Sequence, residues 1–148
     1  MTITAAEEVR AALCGAWRLL SLQTVLPDGT VDYPLGPDAI GQLVYTDSGR
    51  MSAQLVRPGQ PPFTSEDTRA ATNEEIVTAW HNYAGYYGTY RIDVDAQAVI
   101  HEIQASWMPN LAGTEGVRRF RIDGDLLHLE ADGPQGTSRV TWQKLPPR

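Results

Sequence analysis

Cysteine is nearly absent. Cys14 is the single one, which excludes an intrachain disulfide and is compatible with a reducing compartment. No segment approaches the ~20 consecutive apolar residues that a spanning helix needs. Glu7 and Glu8 stand where a signal peptide would carry its positive and apolar regions, so a cytoplasmic protein is expected. Basic charge is scarce as well: 12 Lys and Arg stand against 18 Asp and Glu, for a net charge of −6. Nucleic acid and anionic membranes both need a basic footprint, and neither is expected as a partner. A glycine-rich phosphate loop, a Gly-x-Ser-x-Gly elbow and paired cysteines are all missing. His81, His101 and His128 are far apart in the chain and lack ligand spacing, so neither a metal nor an organic cofactor is expected.

What is present is an ordinary globular composition, 42% hydrophobic and 20% charged over 148 residues. That length suits one domain spanning 1–148, able to bury ~70% of the surface its unfolded chain exposes. The organising stretch is Gly41 to Arg57. Two apolar-rich runs flank Asp47-Ser48-Gly49, whose glycine can take the positive φ of a bulged hairpin loop. Folding about that loop sets Tyr45 opposite Met51, Leu43 opposite Ala53 and Gly41 opposite Leu55. One face is then apolar and the other mixed, as in a sheet that closes around something.

Thr4-Ala5-Ala6-Glu7 predicts a capping box and a short helix through Leu13. A first strand follows from Trp17 to Leu26, with Trp17, Leu19, Ser21, Gln23 and Val25 on one face, and Pro27-Asp28-Gly29 turns the chain. Tyr33 to Pro37 and Arg57 to Phe63 are too rich in proline for central strands. Thr72-Asn73-Glu74-Glu75 opens a second helix of about three turns, with Ile76, Trp80 and Tyr83 on the face it should bury against an end or side of a barrel. Five strand candidates complete the chain: Tyr86–Val94, Val99–Met108, Glu115–Ile122 hairpinned through Asp123-Gly124-Asp125 to Leu126–Leu129, and Gly136–Leu145. About eight short strands and two helices predict an all-β antiparallel barrel, whose closure removes exposed edges.

Alternation along those strands selects the interior. Val99, His101, Ile103, Ala105 and Trp107 share the inward face of one strand; Arg118, Phe120 and Ile122 that of the next. Tyr86 and Tyr90 share a face with Ile92 and Val94, and Val140 and Trp142 mark the last strand. His128 and Glu130 alternate with inward Leu127 and Leu129 and should be solvated. One His, one Arg and three Tyr (Tyr45, Tyr86, Tyr90) thus project into an apolar, aromatic interior. An inward His also has a plain reading as a satisfied core residue, and Tyr45 and Met51 one as fillers of a barrel end.

Gly15-Ala16-Trp17-Arg18-Leu19, Tyr33-Pro34-Leu35-Gly36, Gly41-x-Leu43-x-Tyr45, Gly49-x-Met51-Ser52-Ala53-Gln54 and Arg57-Pro58 together resemble the bacterial and fungal lipocalin-like domain family. Tyr86-Tyr87-Gly88-x-Tyr90, His101, Pro109-Asn110 and Arg118-x-Phe120 extend the resemblance over nearly the whole chain. It implies a single lipocalin-like barrel around a ligand-sized interior. It also gives Arg118 a second reading beside ligand contact, as the late-strand arginine that stacks across Trp17 and closes the barrel floor. Related small barrels serve as cyclases or isomerases in natural-product pathways, although fold alone does not fix function.

The functional expectation is a site for a small hydrophobic molecule bearing a carbonyl or hydroxyl. Tyr45, Met51, Ala53, Tyr86, Ile103, Trp107, Phe120 and Trp142 would contact it. His101 could move a proton, Arg118 could hold a developing enolate oxygen, and Tyr90 could donate to a carbonyl. That set suits a cofactor-free cyclase or isomerase of secondary metabolism. The alternative is a non-catalytic carrier or sensor of the same kind of molecule. The oligomeric state is left open by the sequence, a homodimer included.

Overall fold

Thr4 and Glu7 cap each other as their spacing requires. In a computed structural model, which describes residues 4–148, the Glu7 N–H donates to Thr4 Oγ1 at 3.2 Å and the Thr4 N–H to the Glu7 carboxylate at 2.8 Å. These bonds open α1 (Ala5–Leu13). Gly15, at φ +119°, lets the chain pass directly from the helix into a strand, a conformation that side chains resist.

The strands are β1 (Gly15–Val25), β2 (Val31–Asp32), β3 (Ile40–Tyr45), β4 (Arg50–Val56), β5 (Tyr83–Asp93), β6 (Ala98–Ser106), β7 (Glu115–Asp123), β8 (Leu126–Gly133) and β9 (Gly136–Lys144). Every pairing is antiparallel, and β1 joins both β3 and β9. Eight strands therefore close into a barrel, with the two-residue β2 attached to the end of β1. The β3–β4 register sets Tyr45 against Met51, Leu43 against Ala53 and Gly41 against Leu55, as the sequence predicts. All of the side chains on that face are buried.

The register also assigns the two ends. The β3–β4, β5–β6 and β7–β8 turns lie with α1 at one end, which Leu13, Trp17, Tyr45 and Tyr90 fill completely. The other end carries the long segment between β4 and β5, including α2 (Asn73–His81). Thr72 and Glu75 form the expected second capping box.

Four expectations need correction. Leu20 is an extra residue in β1, between Leu19 and Ser21, which pair with the consecutive Trp142 and Thr141 of β9, a bulge that reverses the parity beyond it. Leu22 therefore faces in, while Ser21 and Gln23 join the outer surface beside Arg119 and Arg121. Gln104 is a second extra residue, in β6, so Ala105 pairs with the outward Tyr87 and leaves the His101 face. Trp107 lies beyond the end of β6. The face of α2 is not buried: Ile76 and Trp80 remain 51% and 46% exposed, and Tyr83 opens β5 instead of extending the helix. Finally, the cation over Trp17 is Lys144, its direct partner in the β1–β9 ladder, and not Arg118.

Candidate functional site

The open half of the barrel encloses a cavity of about 340 Å³, within the ~300–1,000 Å³ typical of small-molecule sites. Leu22, Leu43, Ala53 and Leu55 form one wall, Leu129, Val140 and Trp142 the other, and Leu35 and Leu111 approach from loops. Trp80, His81, Tyr83 and Trp107 surround the mouth, with the two indole rings 6.4 Å apart. Trp107 is held there by its backbone N–H, which donates to the Gly85 carbonyl at 2.9 Å. Trp80 thus brings the exposed face of α2 to the rim.

The polar groups converge on His101, which is 1% exposed. Its Nε2 lies 2.6 Å from the Tyr45 hydroxyl and its Nδ1 2.7 Å from the Tyr86 hydroxyl. Burial, and then the nearby Arg118 charge, lower the His101 pKa from 6.5 to about 3, so the imidazole is neutral. Burial likewise raises the pKa of both tyrosines, with Arg118 pulling the other way. Each tyrosine therefore keeps its proton.

A neutral imidazole has one donor nitrogen and one acceptor, which fixes the direction of the chain. The Tyr45 hydroxyl is fully buried, and among the described residues its partner is His101. Its proton must go to Nε2, since a buried hydroxyl proton without an acceptor is costly. Nδ1–H then donates to Tyr86. That leaves the Tyr86 proton free, on a ring that lines the cavity. Aligned bonds polarise one another, so Tyr45 and His101 together make Tyr86 a better donor.

Arg118 reaches the same cavity from β7. Gly116, two residues earlier on the inward face and opposite His101, leaves the space its guanidinium occupies: a Cβ there would stand 3.1 Å from Arg118 Nη1. Among the described residues no carboxylate pairs with Arg118, whose guanidinium lies 3.5 Å from the Val117 carbonyl and within reach of the Tyr86 hydroxyl. Trp142 presents a second unmatched donor. Its ring is 2% exposed and lines the cavity, yet Nε1–H has no acceptor among the described residues. Trp17 differs, because its Nε1 donates to the Leu13 carbonyl at 2.9 Å.

Of the residues expected from sequence, Ala53, Tyr86, His101, Trp107, Arg118 and Trp142 line the cavity together. Tyr45 stands behind His101. Tyr90 lies at the closed end, its hydroxyl donating to the Thr46 carbonyl at 2.6 Å and its ring beneath Arg10, 5.4 Å away. Met51 fills the same end of the core. Ile103 is buried but does not reach the cavity, and Phe120 packs against the core below it. Residues not expected there are Leu22, hidden by the bulge, and Leu35 and Leu111, which sit in loops. The Gly116-x-Arg118 pairing was the readable signal for a guanidinium given room inside.

The chain belongs to the lipocalin-like domain family, which matches residues 14–145. It is 34% identical over 108 residues to the 4'-hydroxy-3'-methoxypropiophenone carrier protein of Aspergillus oryzae, covering 65% of this chain and 97% of that relative. Among solved structures, a redesigned β-barrel superposes over 99% of this chain and 100% of its own, with a TM-score of 0.47 at 12% identity. A fatty acid transporter covers 93% and 99% respectively, with a TM-score of 0.44 at 11% identity.

Proposed function

We propose that this protein is a carrier that takes up one small, largely apolar molecule with at least one oxygen acceptor, holds it in the barrel and releases it unchanged. Oxygenated aryl ketones, the class named for the Aspergillus oryzae relative, fit an apolar cavity of about 340 Å³ with aromatic walls. The observation that carries the reading is Trp142, whose ring lines that cavity and whose buried Nε1–H has no acceptor among the described residues. Such a group is costly in an empty protein and useful in a loaded one. Tyr86, on β5, lines the cavity from the opposite side and brings a second donor.

Catalysis is the second reading, favoured by Arg118 beside Tyr86, where an enolate oxygen could be stabilised. His101 argues for the carrier. Both of its nitrogens are engaged by tyrosines, and with a pKa of about 3 it is a poor base near neutral pH. The test is native mass spectrometry after incubation with 4'-hydroxy-3'-methoxypropiophenone, followed by chromatography of the released ligand. A one-to-one complex that returns the same compound supports the carrier. A converted product supports the enzyme, and absence of any complex contradicts the proposal.

A further inference from the structure

The cavity wall offers donors in excess of acceptors. The donor-bearing side chains of Tyr86, Trp142 and Arg118 line it, and no Asp or Glu is among the lining residues. Arg118 is the one Arg or Lys among them, and it is half-buried beside apolar walls. Charges in such places are normally paired, because their attraction to a counter-ion is screened less than in water. The groups around Arg118 cannot supply the partner. Tyr86 comes from β5, His101 from β6, Tyr45 from β3 and Ser138 from β9, and none of them is an anion. Asp132 borders a shallow depression shared with Arg118, but its carboxylate is held by Arg119 Nη1 at 2.9 Å and by Thr137 at 3.1 Å.

We infer that the cavity selects its ligand as an oxygen anion, a phenolate or a carboxylate, seated between Arg118 and the Tyr86 hydroxyl, while Trp142 Nε1–H donates to a second oxygen or to the ring-bound carbonyl. This deepens the carrier reading and rests on it. A phenol bound in this way gives up its proton to solvent, so binding releases up to one proton per ligand at pH values between the bound and the free phenol's pKa. Gly116 acts as the positioning residue that leaves room for the guanidinium.

The experiment compares three probes with the full-length protein: 4'-hydroxy-3'-methoxypropiophenone, its phenol methyl ether, and an arylpropanoate of similar size. Hydroxyaryl ketones absorb at longer wavelength once ionised, so the bound phenol reports its own charge. The expected result is a phenolate spectrum at least about one pH unit below the free phenol's midpoint, with the phenol bound about tenfold more tightly than the ether. Arg118→Met should remove both the spectral shift and the preference, and Arg118→Lys should retain the shift. Tight binding of the arylpropanoate would show that a carboxylate satisfies the site equally, and its failure to bind would restrict the anion to phenolates. A bound phenol with the neutral spectrum, together with equal affinity for the ether, would overturn the inference and leave the carrier standing. If no probe binds to folded protein, the carrier proposal falls with it.

Discussion

Lys144 Nζ stands 4.5 Å from the centre of the Trp17 ring and donates to the carbonyls of Ala12 and Cys14 at the end of α1. One side chain thus joins the last strand, the first strand and the helix that fills the closed end. It combines a cation–π contact with the favourable placement of a cation at a helix C-terminus. Replacing Lys144 by Met should lower stability by roughly 1–2 kcal/mol, measured by urea denaturation. Ligand affinity should be unchanged, because the cavity lies at the other end.

Trp142→Phe should separate stability from binding. The variant keeps most of the apolar volume and removes a buried donor that lacks an acceptor. Stability should stay within about 1 kcal/mol of the parent, the lost volume and the lost penalty offsetting one another. Affinity for 4'-hydroxy-3'-methoxypropiophenone should fall about tenfold, as for a single hydrogen bond to a ligand. Calorimetric melting and titration on the same preparation would check both.

The pH dependence of stability should carry the signature of His101. Its folded pKa, about 3, lies below the ordinary 6.5. Between those values the unfolded chain binds the extra proton, so stability falls with falling pH by on the order of one kcal/mol per unit. Above the upper value this contribution is fully present and flat. His101→Gln should lose that part of the slope while the carboxylates keep theirs, a difference that denaturant midpoints at several pH values would reveal.

Gly88→Ala should be severe. A Cβ at this position would overlap the Glu102 carbonyl across the β5–β6 ladder, where Gln104 already forces a bulge. Backbone cannot yield as a flexible side-chain tip can, so a loss of about 2–4 kcal/mol is expected. Gly116→Ala is the contrasting case, because its added methyl meets only the tip of Arg118. That variant should fold normally and bind the ligand less well.

Much of this architecture is legible in the sequence. The β3–β4 hairpin was legible because Asp47-Ser48-Gly49 fixes the turn and the alternation beside it fixes the register. Both capping boxes were legible because the reciprocal bonds need Thr and Glu three residues apart. The bulges were not. One extra residue leaves no mark on composition, yet Leu20 turns Leu22 inward and Gln104 turns Ala105 outward. Nor could the apolar stripe of α2 be assigned to a cavity rim, because a helical period looks the same whether its face meets protein or a ligand entrance. Parity brought Tyr86, His101 and Arg118 together correctly. It says nothing of height along the barrel, so Tyr90 was grouped with them although its hydroxyl lies at the closed end.

The most direct measurement is the indole region of a ¹H–¹⁵N spectrum recorded while the ligand is added. Four tryptophans give four indole signals, and Trp142→Phe identifies one of them. The Trp142 signal should move downfield and saturate at one equivalent of 4'-hydroxy-3'-methoxypropiophenone, as Nε1–H gains an acceptor. The Trp17 signal, already bonded to the Leu13 carbonyl, should stay in place. A Trp142 signal that remains fixed while the protein is saturated with ligand would contradict the account.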